Sequence, residues 1–265
     1  MIFSQLLAWF ADPAHWRGAG GVPVRIAEHL YYTIITVLIA SAIAVPLGLW
    51  VGHTARGGVA LVGLANAMRA LPTLGLLTFL FLLLRSQGIS AVVALVALAV
   101  PPVLAGSYAG VQSVEAGIVD AARGMGMTSV QRLFQVELPV ALPLLLGGVR
   151  SAVLQVVATT TVAAYVGLGG LGRLLLDGLN SADYPQMVAG AVLTAVLAVA
   201  LDVLLAGLTR LATPTGCRLS RQSGNRRLSR QSGNRRLSRQ SGNRRLAAAG
   251  ADARNTGSRM EGSGG

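Results

Sequence analysis

The sequence contains no lysine, a single cysteine and few charged residues of any kind. Asp, Glu, Lys and Arg make up 12% of the 265 residues, whereas 53% are hydrophobic and the mean hydropathy is +0.60. Soluble domains carry about 25% charged residues, so this composition indicates a membrane protein. The lone Cys217 excludes an internal disulfide and a cysteine-based zinc cluster.

The absence of lysine also excludes a P-loop, because that motif places a Lys side chain on the β- and γ-phosphates of the nucleotide. Any ATP-driven work therefore needs a partner chain. His15, His29 and His53 share no metal-ligand spacing, and the other residues form no recognisable Ser-His-Asp or paired-carboxylate arrangement. The sequence predicts no catalytic site, no metal and no cofactor.

A glycine-rich stretch at 165–179, "YVGLGGLGRLLLDGL", has the G-x-G-x-x-G spacing of a dinucleotide fingerprint. That fingerprint is meaningful between a strand and a helix. Here the preceding apolar run is too long for a strand, which argues against nucleotide binding. The glycines instead favour a tight turn into a short helix from Leu171 to Leu179.

Apolar stretches long enough to cross a membrane predict an all-α, polytopic membrane protein with about five transmembrane helices. The second stretch is interrupted at Arg69 and Pro72, so it is either one broken span or two half-spans, which would make six. An interfacial segment, 1–27, precedes a transmembrane domain, 28–211. The five stretches are 29–51, 58–84, 90–110, 140–166 and 186–210.

The C-terminal segment, 212–265, differs sharply from the rest of the chain. Of the 22 arginines, 12 follow residue 210, and "RLSRQSGNR" occurs three times in tandem from 218 to 244. Such a repeat cannot bury a core, so we expect a disordered tail that does not bind nucleic acid; contact with anionic lipid is the alternative. Its positive charge places the C-terminus in the cytoplasm, which makes the loop 111–139 cytoplasmic and the loop 167–185 exoplasmic.

The segment 114–139 is the hydrophilic connection that looks structured. Helix formers run from Glu115 to Arg123, Gly124 and Gly126 allow a turn, and Thr128 or Ser129 can cap a second short helix. Pro139 should end the segment and start the next span. The second helix should place three apolar residues on one face, either to dock on a soluble partner or to lie on lipid. These residues are Val130, Leu133 and Phe134.

This segment resembles the cytoplasmic coupling loop of permease subunits of ATP-binding cassette (ABC) importers, whose signature is E-A-A, three residues, G, nine residues, then I-x-L-P. Asp replaces Glu and Val replaces Ile in this chain. We call 114–139 the coupling segment. The matching residues are Asp120, Ala121, Ala122, Gly126, Val136, Leu138 and Pro139.

Softer similarities point to the osmoprotectant branch of that family, which imports glycine betaine, choline and carnitine. They are "EHLYYT" at 28–33, "RALPTL" at 69–74, "DAARGMGMT" at 120–128 and "GLGGLG" at 167–172. The resemblance implies a type I permease in the bacterial inner membrane, working with a second permease subunit, cytoplasmic ATPase subunits and an extracytoplasmic binding protein. An importer of methionine, phosphonate or another small solute, or a non-transporting adaptor acting through the basic tail, are the alternatives.

Several residues within the spans are candidates for the translocation path. Arg69 is expensive inside a membrane unless it is paired or faces water; pairing with carbonyls freed by Pro72 is the preferred interpretation, because an arginine repels a quaternary ammonium. Hydroxyls and one ring on the fourth span could line a pore, or hydrogen-bond between helices. These residues are Thr159, Thr160, Thr161 and Tyr165.

Overall fold

A computed structural model describes residues 2–212, and every regular element in that range is helical. The predicted tail lies outside the described residues. Two 3-10 turns, Pro13–Trp16 and Ala164–Val166, are wound more tightly than an α-helix, and one π turn, Leu133–Glu137, is wound more widely. The helices are α1 Ile2–Ala11, α2 Val22–Thr54, α3 Gly58–Arg69, α4 Thr73–Leu84, α5 Gln87–Gln112, α6 Ala116–Gly124, α7 Ser129–Arg132, α8 Leu138–Ala163, α9 Leu171–Asn180 and α10 Tyr184–Ala212.

Helices α2 and α5 run parallel and approach closely through small residues. A Cβ atom added at Gly48 would lie 2.6 Å from that of Ser107, and one at Gly52 would lie 2.8 Å from that of Val111. The residue numbers of the contacting positions thus increase in the same direction along both helices, which shows that the helices are parallel. Small residues allow this backbone approach, as is common between membrane helices.

Helix α8 packs against α5 in the opposite direction. A Cβ at Gly106 would meet the backbone of Gly148 at 2.7 Å, and one at Gly110 would meet the carbonyl oxygen of Ala141 at 2.8 Å. A buried apolar cluster fills the space between α2, α5 and α8, and α10 packs beside α8. These helices form the centre of the transmembrane domain.

The parallel direction of α2 and α5 decides the number of spans in the described chain. The connection between them must return across the bundle, and it consists of α3 and α4, bent by 86°. Ala65 of α3 shares a buried cluster with Val103 of α5, whereas Leu77 of α4 shares another with Leu95, which lies nearer the start of α5. The pair therefore forms one broken crossing whose bend lies at the mid-level of α5. The count is five, as predicted, and not six.

The N-terminal segment is part of the helical packing. Trp9 of α1 is buried in a cluster with Leu174 of α9 and Ala189 of α10. Val22 belongs to the same cluster, so the first span begins there, several residues before the predicted boundary at 28. Pro23 in the first turn explains the early start, since Pro fits the beginning of a helix, where its missing N–H is not needed.

The bundle has two distinct ends. We call the end where α2 and α5 finish and α8 begins the α6 end; there the Gln112 side chain donates to the Gly52 carbonyl at 3.0 Å. At the opposite, α9 end, Gly167 and Gly170 adopt positive φ angles of 90° and 88°, and the Gly170 N–H donates to Glu28 Oε2 at 2.7 Å. A helix precedes these glycines, so they lack the strand that a nucleotide fingerprint requires, and the predicted helix α9 is confirmed.

Candidate functional site

The glycine of the coupling signature closes helix α6. Gly126 has a φ of +79°, a conformation that glycine adopts without a Cβ penalty. Its N–H donates to the Arg123 carbonyl at 2.9 Å, and the Met127 N–H donates to the Ala122 carbonyl at 3.2 Å. This pair of bonds is a Schellman motif. The spacing between Ala122 and Gly126 in the signature is thus the spacing of a helix C-terminus.

The other signature residues divide between the surface and the junction with α8. Asp120 and Ala121 are exposed, whereas Ala122 is buried. The Asp120 carboxylate lies 3.5 Å from the Arg123 guanidinium on the same surface. Val136, Leu138 and Pro139 are half-buried where the π turn joins α8.

The coupling segment runs into the next span without a break. Thr128 caps α7: its hydroxyl accepts from the Gln131 N–H at 3.3 Å, and the Gln131 side chain accepts from the Thr128 N–H at 2.9 Å. Helix α7 then continues through the π turn into α8, which begins at Leu138 with Pro139 in its first turn. Pro139 thus lies at the start of the next span's helix, as predicted, but no break in the helix separates it from the coupling segment. Proline has no N–H to donate, and the wider π turn just before it, closed by the Leu138 N–H on the Leu133 carbonyl, lets the helix continue.

Two of the three predicted docking residues face outward. Val130 is 66% and Phe134 57% exposed, without apolar cover from the described chain. Leu133 instead packs against the buried cluster of Leu49 and Leu145, so it does not share their face. Leu133 and Phe134 are consecutive residues of a helix and therefore point about 100° apart. Docking through Val130 and Phe134 stays a prediction.

A buried ionic network anchors the coupling segment to α2. Glu137 Oε1 accepts from Arg132 Nε at 3.0 Å, and Glu137 Oε2 lies 2.6 Å from His53 Nδ1. Arg132 Nη2 lies 3.2 Å from His53 Nε2. Because arginine can only donate, Nε2 accepts, so Nδ1 carries the hydrogen and donates to Glu137. The three side chains are 9%, 4% and 11% exposed for Arg132, Glu137 and His53.

Sequence reasoning missed this network. Glu137 occupies the variable position of the I-x-L-P element, and Arg132 lies five residues earlier, a spacing that a regular helix does not bring together. The π turn brings the two side chains within hydrogen-bonding distance. An Arg and a Glu close to each other at the start of an apolar span were the available signal.

The bend between α3 and α4 carries an uncompensated cation at mid-span. Arg69 is exposed, and its guanidinium donates no hydrogen bond within residues 2–212, so the predicted pairing with carbonyls near Pro72 is not present. Pro72 caps α4 in an extended conformation and is also exposed. The dipole of α3 contributes about 0.3–1 kcal/mol towards a cation at its C-terminus, whereas Arg at the centre of a span costs about 2.5–3.5 kcal/mol. The dipole alone does not explain Arg69.

The hydroxyl residues of the fourth span do not form one surface. Each threonine hydroxyl donates to a carbonyl of its own helix, three or four residues earlier. Thr160 is fully buried, Thr159 and Thr161 are half-buried, and Tyr165 is exposed on the 3-10 turn. Consecutive residues of a helix point about 100° apart, which explains the separation of the three threonines.

A second ionic contact, also missed in the sequence, joins two spans. Arg150 of α8 donates to both carboxylate oxygens of Asp202 of α10, at 2.6 and 2.7 Å. Bidentate pairing of this kind combines strength with fixed geometry. Ionisable residues inside apolar stretches were the signal that could have identified it.

The helix order and the coupling segment agree with a family comparison. The family of inner membrane components of binding-protein-dependent transport systems matches residues 44–214. The chain belongs to this family. It is therefore a multi-pass membrane component of a transport system, and the match covers the broken span, the coupling segment and both ionic contacts.

Relatives and solved structures agree with this assignment. The glycine betaine/carnitine/choline transport system permease protein OpuCB of Bacillus subtilis is 34% identical, over 74% of this chain and 91% of its own length. The osmoprotectant import permease protein OsmW of Salmonella typhimurium is 36% identical, over 78% of this chain and its whole length. A MetNI methionine ABC transporter structure, 23% identical, covers 77% of this chain and 100% of its own with a TM-score of 0.67, which shows the same fold.

Proposed function

We propose that this family member is the permease subunit of an ATP-driven importer for quaternary-amine osmoprotectants such as glycine betaine, carnitine and choline. The observation that carries the proposal is the similarity to permeases named for these solutes, along 91% and 100% of their lengths. Their alignments extend over 74% and 78% of this chain rather than over an isolated motif. A different cargo, such as methionine, is the outcome that the uptake test below would reveal.

The α6 end forms the contact with cytoplasmic ATPase subunits in this proposal. Val130 and Phe134 project from it as exposed apolar side chains, beside the exposed Asp120 and Ala121 of the signature. Apolar side chains of this kind suit a groove on a soluble partner. Helix α10 also finishes at the α6 end, so Ala212 is on the cytoplasmic side in this proposal, and the α9 end faces the extracytoplasmic binding protein.

ATP-driven closure of two ATPase subunits would then move the coupling segments of two permease subunits as levers. The lever is joined to α8 by a continuous helix and to α2 by the network of Glu137. Its motion would thus reach both central spans and switch access between the two sides of the membrane. The energy of the switch comes from contacts that differ between the two states.

The test of transport is uptake of labelled glycine betaine and choline at high osmolarity. Cells that lack their own importers for these solutes would carry this chain with its partner ATPase and binding protein. We expect uptake that depends on all three components. An assembled complex with active ATPase and no uptake of either solute would refute the proposed cargo.

The test of the docking surface is the double substitution Val130→Asp, Phe134→Asp. Charges on this surface should abolish co-purification with the ATPase subunit and uptake. The matched control is Leu179→Asp, at a similarly exposed residue of the α9 end, which should keep ATPase association. Equal association of the two variants would contradict the assignment of this surface.

A further inference from the structure

A groove opens beside α3, the first half of the broken span, and reaches Arg69 at the bend. Side chains of α3 and α5 line a volume of about 170 Å³, with mainly apolar walls such as Val62 and Leu104. Arg69, Asn66 and Tyr108 are the polar residues at its surface. The groove thus combines an apolar surface with an arginine, as small-molecule sites do.

The charge of Arg69 has no counterpart in the described chain. At a comparable depth, the Asp202 carboxylate is bound through both oxygens by Arg150. Glu28 and Glu137 are bound to other partners at the two ends of the bundle. An arginine in an apolar span needs water or an anion beside it, and the groove provides the room for either.

We propose that Arg69 binds the carboxylate of the cargo during passage, so that the chain favours zwitterionic quaternary amines over cationic ones. The planar guanidinium matches a carboxylate with two parallel hydrogen bonds. Glycine betaine and carnitine carry a carboxylate besides the quaternary ammonium, whereas choline carries a hydroxyl. Arg69 attracts the first two and repels the third, and the methyl groups of the cargo lie against the apolar walls.

This inference rests on the proposed function, and the two can fail separately. The experiment compares initial uptake of glycine betaine and choline, both saturating, by the complete importer with Arg69→Gln and with Arg69→Lys. The binding protein is the same throughout, so a change in the ratio of the two rates belongs to the permease. Arg85→Gln is the control, because Arg85 is an exposed arginine next to the same helix pair.

We expect Arg69→Gln to lower the glycine betaine to choline ratio about tenfold or more, the size of losing a hydrogen bond to a charged group. Arg69→Lys keeps the charge without the bidentate geometry, so its ratio should fall less. If the Arg69→Gln variant does not assemble, the Arg69→Lys variant still tests the inference through this smaller fall. The Arg85→Gln control should leave the ratio unchanged.

Three results would contradict the inference. An unchanged ratio in both Arg69 variants would show that Arg69 does not contact the carboxylate. Equal loss of both solutes in assembled complexes would show a structural role. Wild-type uptake of choline without glycine betaine would refute the preference while leaving the proposed importer intact. No wild-type uptake of either solute by an assembled complex with active ATPase would refute the proposed cargo, and this inference with it.

Discussion

Replacing Glu137 by Gln should strongly destabilise the junction between the coupling segment and the spans. Glu137 holds Arg132 at 3.0 Å and His53 at 2.6 Å, and all three side chains are nearly inaccessible to solvent. The substitution leaves a buried guanidinium without its counter-charge. Breaking a buried pair in this way costs about 3–5 kcal/mol, so we expect a loss of about 3 kcal/mol, because the Gln oxygen can still accept one bond.

The signature itself contains a matched control. Asp120 and Arg123 lie 3.5 Å apart on the surface of α6, with side chains 69% and 59% exposed. Exposed pairs contribute about 0–1 kcal/mol, so Asp120→Asn should have little effect on stability. A second comparison is the double variant Arg132→Met, Glu137→Met, which removes both buried charges and should recover much of the stability lost by Glu137→Gln.

The assay is thermal unfolding of the purified complex in detergent, followed by loss of the folded permease. For a chain of this size, about 3 kcal/mol corresponds to a fall in Tm of roughly 6–12 °C. A fall for Glu137→Gln no larger than that for Asp120→Asn would refute the reasoning. A double Met variant as unstable as the single Gln variant would show that packing, and not the unpaired charge, determines the loss.

Three further changes have defined outcomes. Gly126→Ala should destabilise the permease by about 1–2 kcal/mol in thermal unfolding, because a Cβ is disfavoured at its positive φ. The control is Gly117→Ala, within α6 and with open space around it, which should leave stability unchanged or increase it. Asp202→Asn should lower Tm more than the pair Arg150→Met, Asp202→Leu, because the single change leaves Arg150 without its counter-charge; equal losses would contradict this. A chain ended after Leu211 should keep uptake and its salt response, and a lost salt response would favour contact of the basic tail with anionic lipid.

Much of the fold could be predicted because it depends on local patterns. Apolar length predicted five spans, and Gly126 and Thr128 marked the helix end and the helix start within the coupling segment. These features need only a few adjacent residues, whose conformations follow from sterics and capping. The parallel arrangement of α2 and α5, which fixes the span count, depends on contacts between distant residues such as Gly48 and Ser107.

The candidate site was predictable in position but not in its contacts. The signature located the coupling segment, yet it could not indicate that Leu133 packs inward or that a π turn brings Glu137 to Arg132. A π turn is a rare element, and no local residue pattern in this segment predicted one. His53 joins the network from 84 positions away in the sequence, which no local pattern indicates.

The ionisable residues inside the spans differ in whether they form an ion pair, and this difference decides what each one contributes. In the sequence, Arg69, Arg150 and Asp202 raise the same question, since each is costly within a membrane. The structure separates them, because Arg150 and Asp202 neutralise each other whereas Arg69 is left with a net charge beside a groove. The neutral pair of Arg150 and Asp202 joins α8 to α10 without a ligand. A net cation at a helix break needs water or an anion beside it, and the anion that we propose for Arg69 is the carboxylate of the cargo.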